Sequence, residues 1–190
     1  MKFMKLKGLA LAVGVASMGL AGSAQADTLV TDFNSLGVST GLTFGVAIDT
    51  NADRRAAGSI DITNQTTSSS FTAFCADIRT DIRTTVTNAF PGGGDIYDNV
   101  TLGAAGWTAA QQTNVQALYD QRYATVDLTS AVQTAAFQIS IWELLDDGTL
   151  GAGNVIWDAA AAGSDNATAL ALAGDWLANL ADPTPADTFD

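Results

Sequence analysis

The chain has no histidine, one cysteine (Cys75), three prolines and no lysine beyond Lys7. Each shortage excludes something. Without an imidazole there is no base for a Cys-His or Ser-His-Asp nucleophile, and the usual zinc ligand sets cannot be assembled. One cysteine rules out an internal disulfide. A conventional hydrolase is therefore disfavoured, and no enzymatic turnover, metal or cofactor is expected. Glutamate is nearly missing too: Glu143 stands alone beside nineteen aspartates. Only 15% of residues are charged and 47% are hydrophobic. That balance belongs to a folded chain rather than a disordered one.

What is present at the N-terminus points to export. Lys2, Lys5 and Lys7 form a basic head, an apolar run follows from Gly8 to about Leu20, and Ala24-Gln25-Ala26 closes it. This is the order of a secretory signal peptide with an A-x-A cleavage site. The run is shorter than the ~20 residues needed to span a bilayer. Residues 1–26 are thus expected to be removed, leaving 164 residues, of which 27–181 form a single domain. A chain of that length buries about 70% of the surface it exposes when unfolded. It carries five arginines against twenty acids, a net charge of −15. Such a surface repels nucleic acid and anionic lipid. The expected product is an extracellular or cell-surface monomer that is not inserted in a membrane.

From Thr28 to Asp81 the chain reads as short strands: Leu29 to Phe33, Leu42 to Ile48, Ser59 to Ile62 and Phe71 to Ile78. Each holds β-branched or aromatic residues between turn-forming clusters. Asn64 to Ser70 is expected to be a hairpin loop, Pro91 to Asp95 a second loop, and Tyr97 to Leu102 a strand. The period then changes. Thr108 is placed to cap a helix from Ala109 to about Tyr123. Thr129 or Ser130 caps another, from Ala131 to about Leu145, apolar nearly all round and so expected to be buried. Asp146-Asp147-Gly148 ends it. Val155 to Trp157 is a short strand, and a third helix runs from about Ala167 to Leu180. The order implies an α+β domain: a β-sandwich or barrel-like sheet with a subdomain of about three helices. Residues 182–190, with Pro183 and Pro185, read as the start of a linker.

Two segments stand out together. Phe74-Cys75-Ala76-Asp77-Ile78 closes a strand, and Val132-Gln133-Thr134-Ala135-Ala136-Phe137-Gln138-Ile139-Ser140-Ile141-Trp142 lies on the buried helix. In order and separation they resemble the motifs of the thioester domains of bacterial surface adhesins. Phe74-Cys75-Ala76-Asp77 is similar to the aromatic-Cys-small-acid motif, and Phe137-Gln138-Ile139-Ser140-Ile141-Trp142 to the apolar-Q-x-x-apolar-W motif. The T-Q-x-A motif is met around Gln133, with Val132 in place of its threonine. The resemblance covers about residues 71–146. It implies an internal thioester between the Cys75 sulfur and the Gln138 carbonyl, formed with loss of ammonia. It also implies covalent capture of an amine-bearing surface protein or glycan. Gln133 would orient the pair, with Trp142 and Asp77 in support.

The residues also have plainer readings. Cys75 can serve as a small buried hydrophobe, Gln138 as a structural amide bridge, and Trp142 as core. Asp77 and Glu143 are expected to be solvated charges. Asp49-Thr50-Asn51-Ala52-Asp53 echoes a calcium loop but lacks its glycine at the sixth position and glutamate at the twelfth. An exported structural or matrix protein is the second functional class. Proteins with a PEP-CTERM sorting tail are similar in this respect. Absence of lysine after residue 26 leaves the N-terminus as the one primary amine of the mature chain. A reactive acyl group on such a chain would seldom couple to its own copies.

Overall fold

The computed structural model describes residues 28–33, 40–64, 68–79, 95–98, 103 and 105–181. The signal segment 1–26, the 91–94 loop, the end of the expected strand after Asp98 and the 182–190 linker lie outside the described residues.

The strands are β1 (Thr28–Phe33), β2 (Thr40–Ile48), β3 (Asn51–Asn64), β4 (Ser69–Ala73), β5 (Asp95–Asp98) and β6 (Val155–Trp157). They form one antiparallel sheet in the order β5-β1-β3-β2-β6, with β4 also paired to β3. The expected α+β class holds. The sheet is open, so the barrel-like alternative is corrected: β5 and β6 end the order unjoined. Helices pack on the sheet where a second sheet of a sandwich would lie.

β3 is far longer than the Ser59–Ile62 stretch that alternates in sequence. Its first half pairs with β2 from Ile48↔Asn51 to Thr40↔Ser59, and its end pairs with β4 and β1. Residues 51–54 are exposed, so no buried face marks them as strand. The segment that echoes a calcium loop is instead a two-residue hairpin. Asp49 and Thr50 have φ of 48° and 74°, the left-handed pair that a tight turn between twisted strands demands. Along β2, Phe44, Val46 and Ile48 are buried and alternate with wetter residues, the period-2 signature of one covered face.

Three helices follow: α1 (Ala109–Arg122), α2 (Ala131–Asp146) and α3 (Asp165–Ala178). Each starts at a hydroxyl cap. Thr108, Ser130 and Ser164 accept from the backbone N–H of Gln111, Gln133 and Ala167, satisfying donors that no helical carbonyl can reach. Gln111 returns a bond to the Thr108 N–H at 2.9 Å, completing a capping box. Its amide also donates to the Leu145 carbonyl at 2.6 Å, tying the start of α1 to the end of α2.

α2 is the centre of the molecule. It packs against β2, β3, α1 and α3, and every residue from Thr134 to Leu144 is buried. Phe137 is enclosed by the rings of Phe74, Tyr119, Tyr123 and Trp176, with centroids 4.9 to 6.3 Å away. Truncating such a ring to alanine costs about 3–5 kcal/mol. The position of α2 is therefore fixed before any chemistry is considered.

Candidate functional site

β4 ends at Ala73, although the apolar pattern of Phe71 to Ile78 extends the expected strand five residues further. The chain leaves the sheet because its backbone groups are taken by side chains. The Cys75 N–H donates to Gln138 Oε1 at 2.7 Å, and Gln138 Nε2 donates to the Cys75 carbonyl at 2.6 Å. Arg55 Nε donates to the Ile78 carbonyl at 2.8 Å. Thus Cys75 and Gln138, 63 residues apart, are joined by two buried hydrogen bonds. These partners also fix which way the carboxamide points, since each atom faces a group of opposite character.

The residue before each member of the pair explains the alignment. Phe74 and Phe137 pack edge to face at 4.9 Å. With those rings locked, the next residue on each chain is brought against the other. Cys75 is 6% exposed and Gln138 is 1% exposed. The Cys75 sulfur donates to the backbone carbonyl of Asp77 at 3.3 Å. Burial pushes the thiol up to about 11, partly opposed by that bond, so it is neutral at pH 7.

Trp142 lies one helical turn beyond Gln138 on α2. Its buried Nε1–H makes no hydrogen bond, yet it lies near enough to the sulfur to favour the thiolate. An unpaired buried donor is uncommon and costs about 1–3 kcal/mol. Trp142 stacks on Trp157, with centroids 6.1 Å apart and planes at 17°.

The remaining expected residues fall in different places. Gln133 does not reach the pair: its Oε1 accepts from the Asp127 N–H at 2.9 Å, holding the turn before α2. Gln133→Ala should accordingly cost about 1 kcal/mol of stability, read as a shift in urea midpoint, and leave the chemistry of the pair intact. Asp77 is half-buried rather than fully solvated, and its Oδ1 accepts from the Arg79 N–H at 2.8 Å.

Glu143 departs furthest from expectation. It is fully buried, and Oε1 accepts from Trp157 Nε1 at 2.5 Å while Oε2 has no partner. Burial pushes the carboxyl up to about 8, against the lowering effect of the indole bond, and Asp147 and Asp146 add repulsion. It is neutral at pH 7. Its single position on a helix buried all round could have flagged it, since such a helix has no wet face to offer a charge.

Arg79 was not singled out in sequence. Its guanidinium bonds Asp49 at 2.9 and 3.1 Å and Asp146 at 3.2 Å, joining the segment after Cys75 to the β2–β3 turn and the end of α2. A cleft of about 160 Å³ is lined by residues 76–79, Ala105, Trp107, Trp142 and Leu145, but by neither Cys75 nor Gln138. Among the described residues no cluster of three potential ligands is placed to hold a metal ion, and no helix is long and apolar enough to cross a membrane. Comparison with protein-family models, curated proteins and solved structures found no match.

Proposed function

We propose that the chain is an exported surface or extracellular binding module in which Cys75 and Gln138 form an internal thioester that captures an amine-bearing partner covalently. The observation that carries the reading is the double hydrogen bond between the Cys75 backbone and the Gln138 carboxamide. It aligns a weak electrophile with the residue bearing the thiol, the positioning on which intramolecular reactions depend.

The Cys75 N–H donates to the oxygen on which charge would develop, so the nucleophile's own amide acts as an oxyanion donor. The Cys75 sulfur bonds to Gln138 Cδ, the Cδ–Nε2 bond breaks, and the thiol proton leaves with the nitrogen as ammonia. Both reactants are neutral, so no buried charge has to be generated first. In the capture step an amine nitrogen bonds to Cδ, the Cδ–S bond breaks, and the amine's proton passes to sulfur. The Trp142 indole favours negative charge on the sulfur. Each molecule acts once.

Intact mass tests the reading. The native protein should weigh one ammonia less than its mature sequence, with little thiol labelling until base treatment. A mass equal to the sequence under conditions that avoid hydrolysis would overturn it.

A second reading has its own support. The carboxamide is satisfied at both ends and the thiol is strongly disfavoured from ionising. These are the properties of a structural bridge in a non-reactive matrix protein. The same mass measurement separates the two.

A further inference from the structure

An amine is captured only if it reaches Gln138 Cδ, and both Gln138 and Cys75 are buried. Capture therefore requires part of the fold to move, and the two sides of the pair differ in what holds them. Gln138 sits in α2, which is bonded turn to turn and packed by β2, β3, α1 and α3. Such a close-packed helix has no room to shift. Cys75 instead opens a segment that has left the sheet, and residues 76–79 belong to neither a strand nor a helix.

Side chains hold that segment down. Arg55 Nε, on β3, donates to the Ile78 carbonyl at 2.8 Å, and the Ile78 side chain is buried, so the closed form dominates. At the far end Arg79 forks onto both oxygens of Asp49 at 2.9 and 3.1 Å and reaches Asp146 at 3.2 Å. The Arg79 and Asp49 side chains are 41% and 52% exposed. Ion pairs that wet exchange readily with water and are screened by salt. Thioester formation loosens the near end as well. Gln138 Nε2 leaves as ammonia and takes with it the bond to the Cys75 carbonyl, while the new S–Cδ bond pins Cys75 itself.

We infer that residues 76–79 are a strap that peels from the pair to admit the amine, with Cys75 as its fixed end and the Arg79 ion pairs to Asp49 and Asp146 as its latch. The inference rests on the thioester reading, and its test separates the two. Asp49→Asn removes charge from the latch, and asparagine accepts the left-handed φ of 48° at that turn. Arg79→Gln opens the latch from the strap itself. Both variants should still weigh one ammonia less than their mature sequences. Methylamine uptake, followed by mass, should be about tenfold faster in each than in the wild type, since uptake tracks the fraction of molecules that are open. Higher ionic strength should speed the wild type and leave Arg79→Gln unchanged. Ser164→Ala weakens the fold through the α3 cap and should react at the wild-type rate. Wild-type uptake by either latch variant that has lost ammonia overturns the strap. So does equal acceleration by Ser164→Ala, which would mean that general loosening admits the amine. Failure of both latch variants to lose ammonia overturns it too, because the ion pairs would then serve formation of the bond rather than release of a strap. A wild-type mass equal to its sequence removes the thioester and the strap with it.

Discussion

Methylamine should lower the stability of the wild-type protein by about 4 kcal/mol without changing a residue. A bond from Cys75 to Gln138 closes a loop of 63 residues, and cross-links of that span restrict the unfolded chain by about this much in the chain-entropy account. Aminolysis opens the loop and returns the entropy to the unfolded state. The native contacts change little, since Cys75 keeps its backbone N–H beside the Gln138 carbonyl. Urea melts before and after treatment give the difference directly.

Cys75→Ala should start at the opened level, bind no methylamine and show no response to it. If the pair only packs, treatment changes nothing and Cys75→Ala costs about 1 kcal/mol, the loss of one small buried group. Gln138→Ala should fall below both. It leaves the Cys75 N–H and carbonyl buried without partners, at about 1–3 kcal/mol each, and opens a cavity besides.

The second large effect is in pH. Glu143 sits at about 8 in the folded protein, whereas an unperturbed glutamate titrates near 4.3. The native state therefore binds more protons than the unfolded state between those values. Stability should be fully present below the lower one and decline as pH rises, by up to about 1.4 kcal/mol per unit, until the folded carboxyl ionises. Among the described residues the buried carboxylate would then have only the Trp157 N–H to stabilise it. Glu143→Gln keeps an acceptor for that N–H and removes the titration, so its stability should stay flat from pH 5 to 9 and cross that of the parent. The comparison belongs in the Cys75→Ala background, where alkaline hydrolysis of a thioester cannot contribute. A parent profile as flat as that of Glu143→Gln would mean that Glu143 is not held neutral in the fold.

Local physics made much of this molecule legible from its residues. A hydroxyl before an apolar run starts a helix wherever the chain continues, so Thr108 and Ser130 mark the first two helices without reference to anything distant, while α3 starts at the Ser164 cap, ahead of the expected Ala167. An apolar surface on all sides of Ala131–Asp146 requires burial, whatever packs around it. Cys75 and Gln138 stood out only through the resemblance of their flanking motifs to those of thioester domains. The tertiary structure decided what depends on partners far along the chain. β4 stops at Ala73 because Gln138, 63 residues from Cys75, takes the hydrogen bonds a neighbouring strand would have taken. β3 extends through polar residues because β2 supplies a ladder beside it, and a ladder needs no buried face. Gln133 faces the turn at Asp127 rather than the pair, since five residues along a helix rotate a side chain well away from Gln138. Glu143 is neutral because the fold buries it, against the lowering effect of the bond from Trp157 on a strand that follows the helix. Sequence neighbours set caps and periods, whereas burial and hydrogen-bond partners are set by whichever distant segment arrives, and those contacts decide charge state, strand ends and the geometry of Cys75 and Gln138.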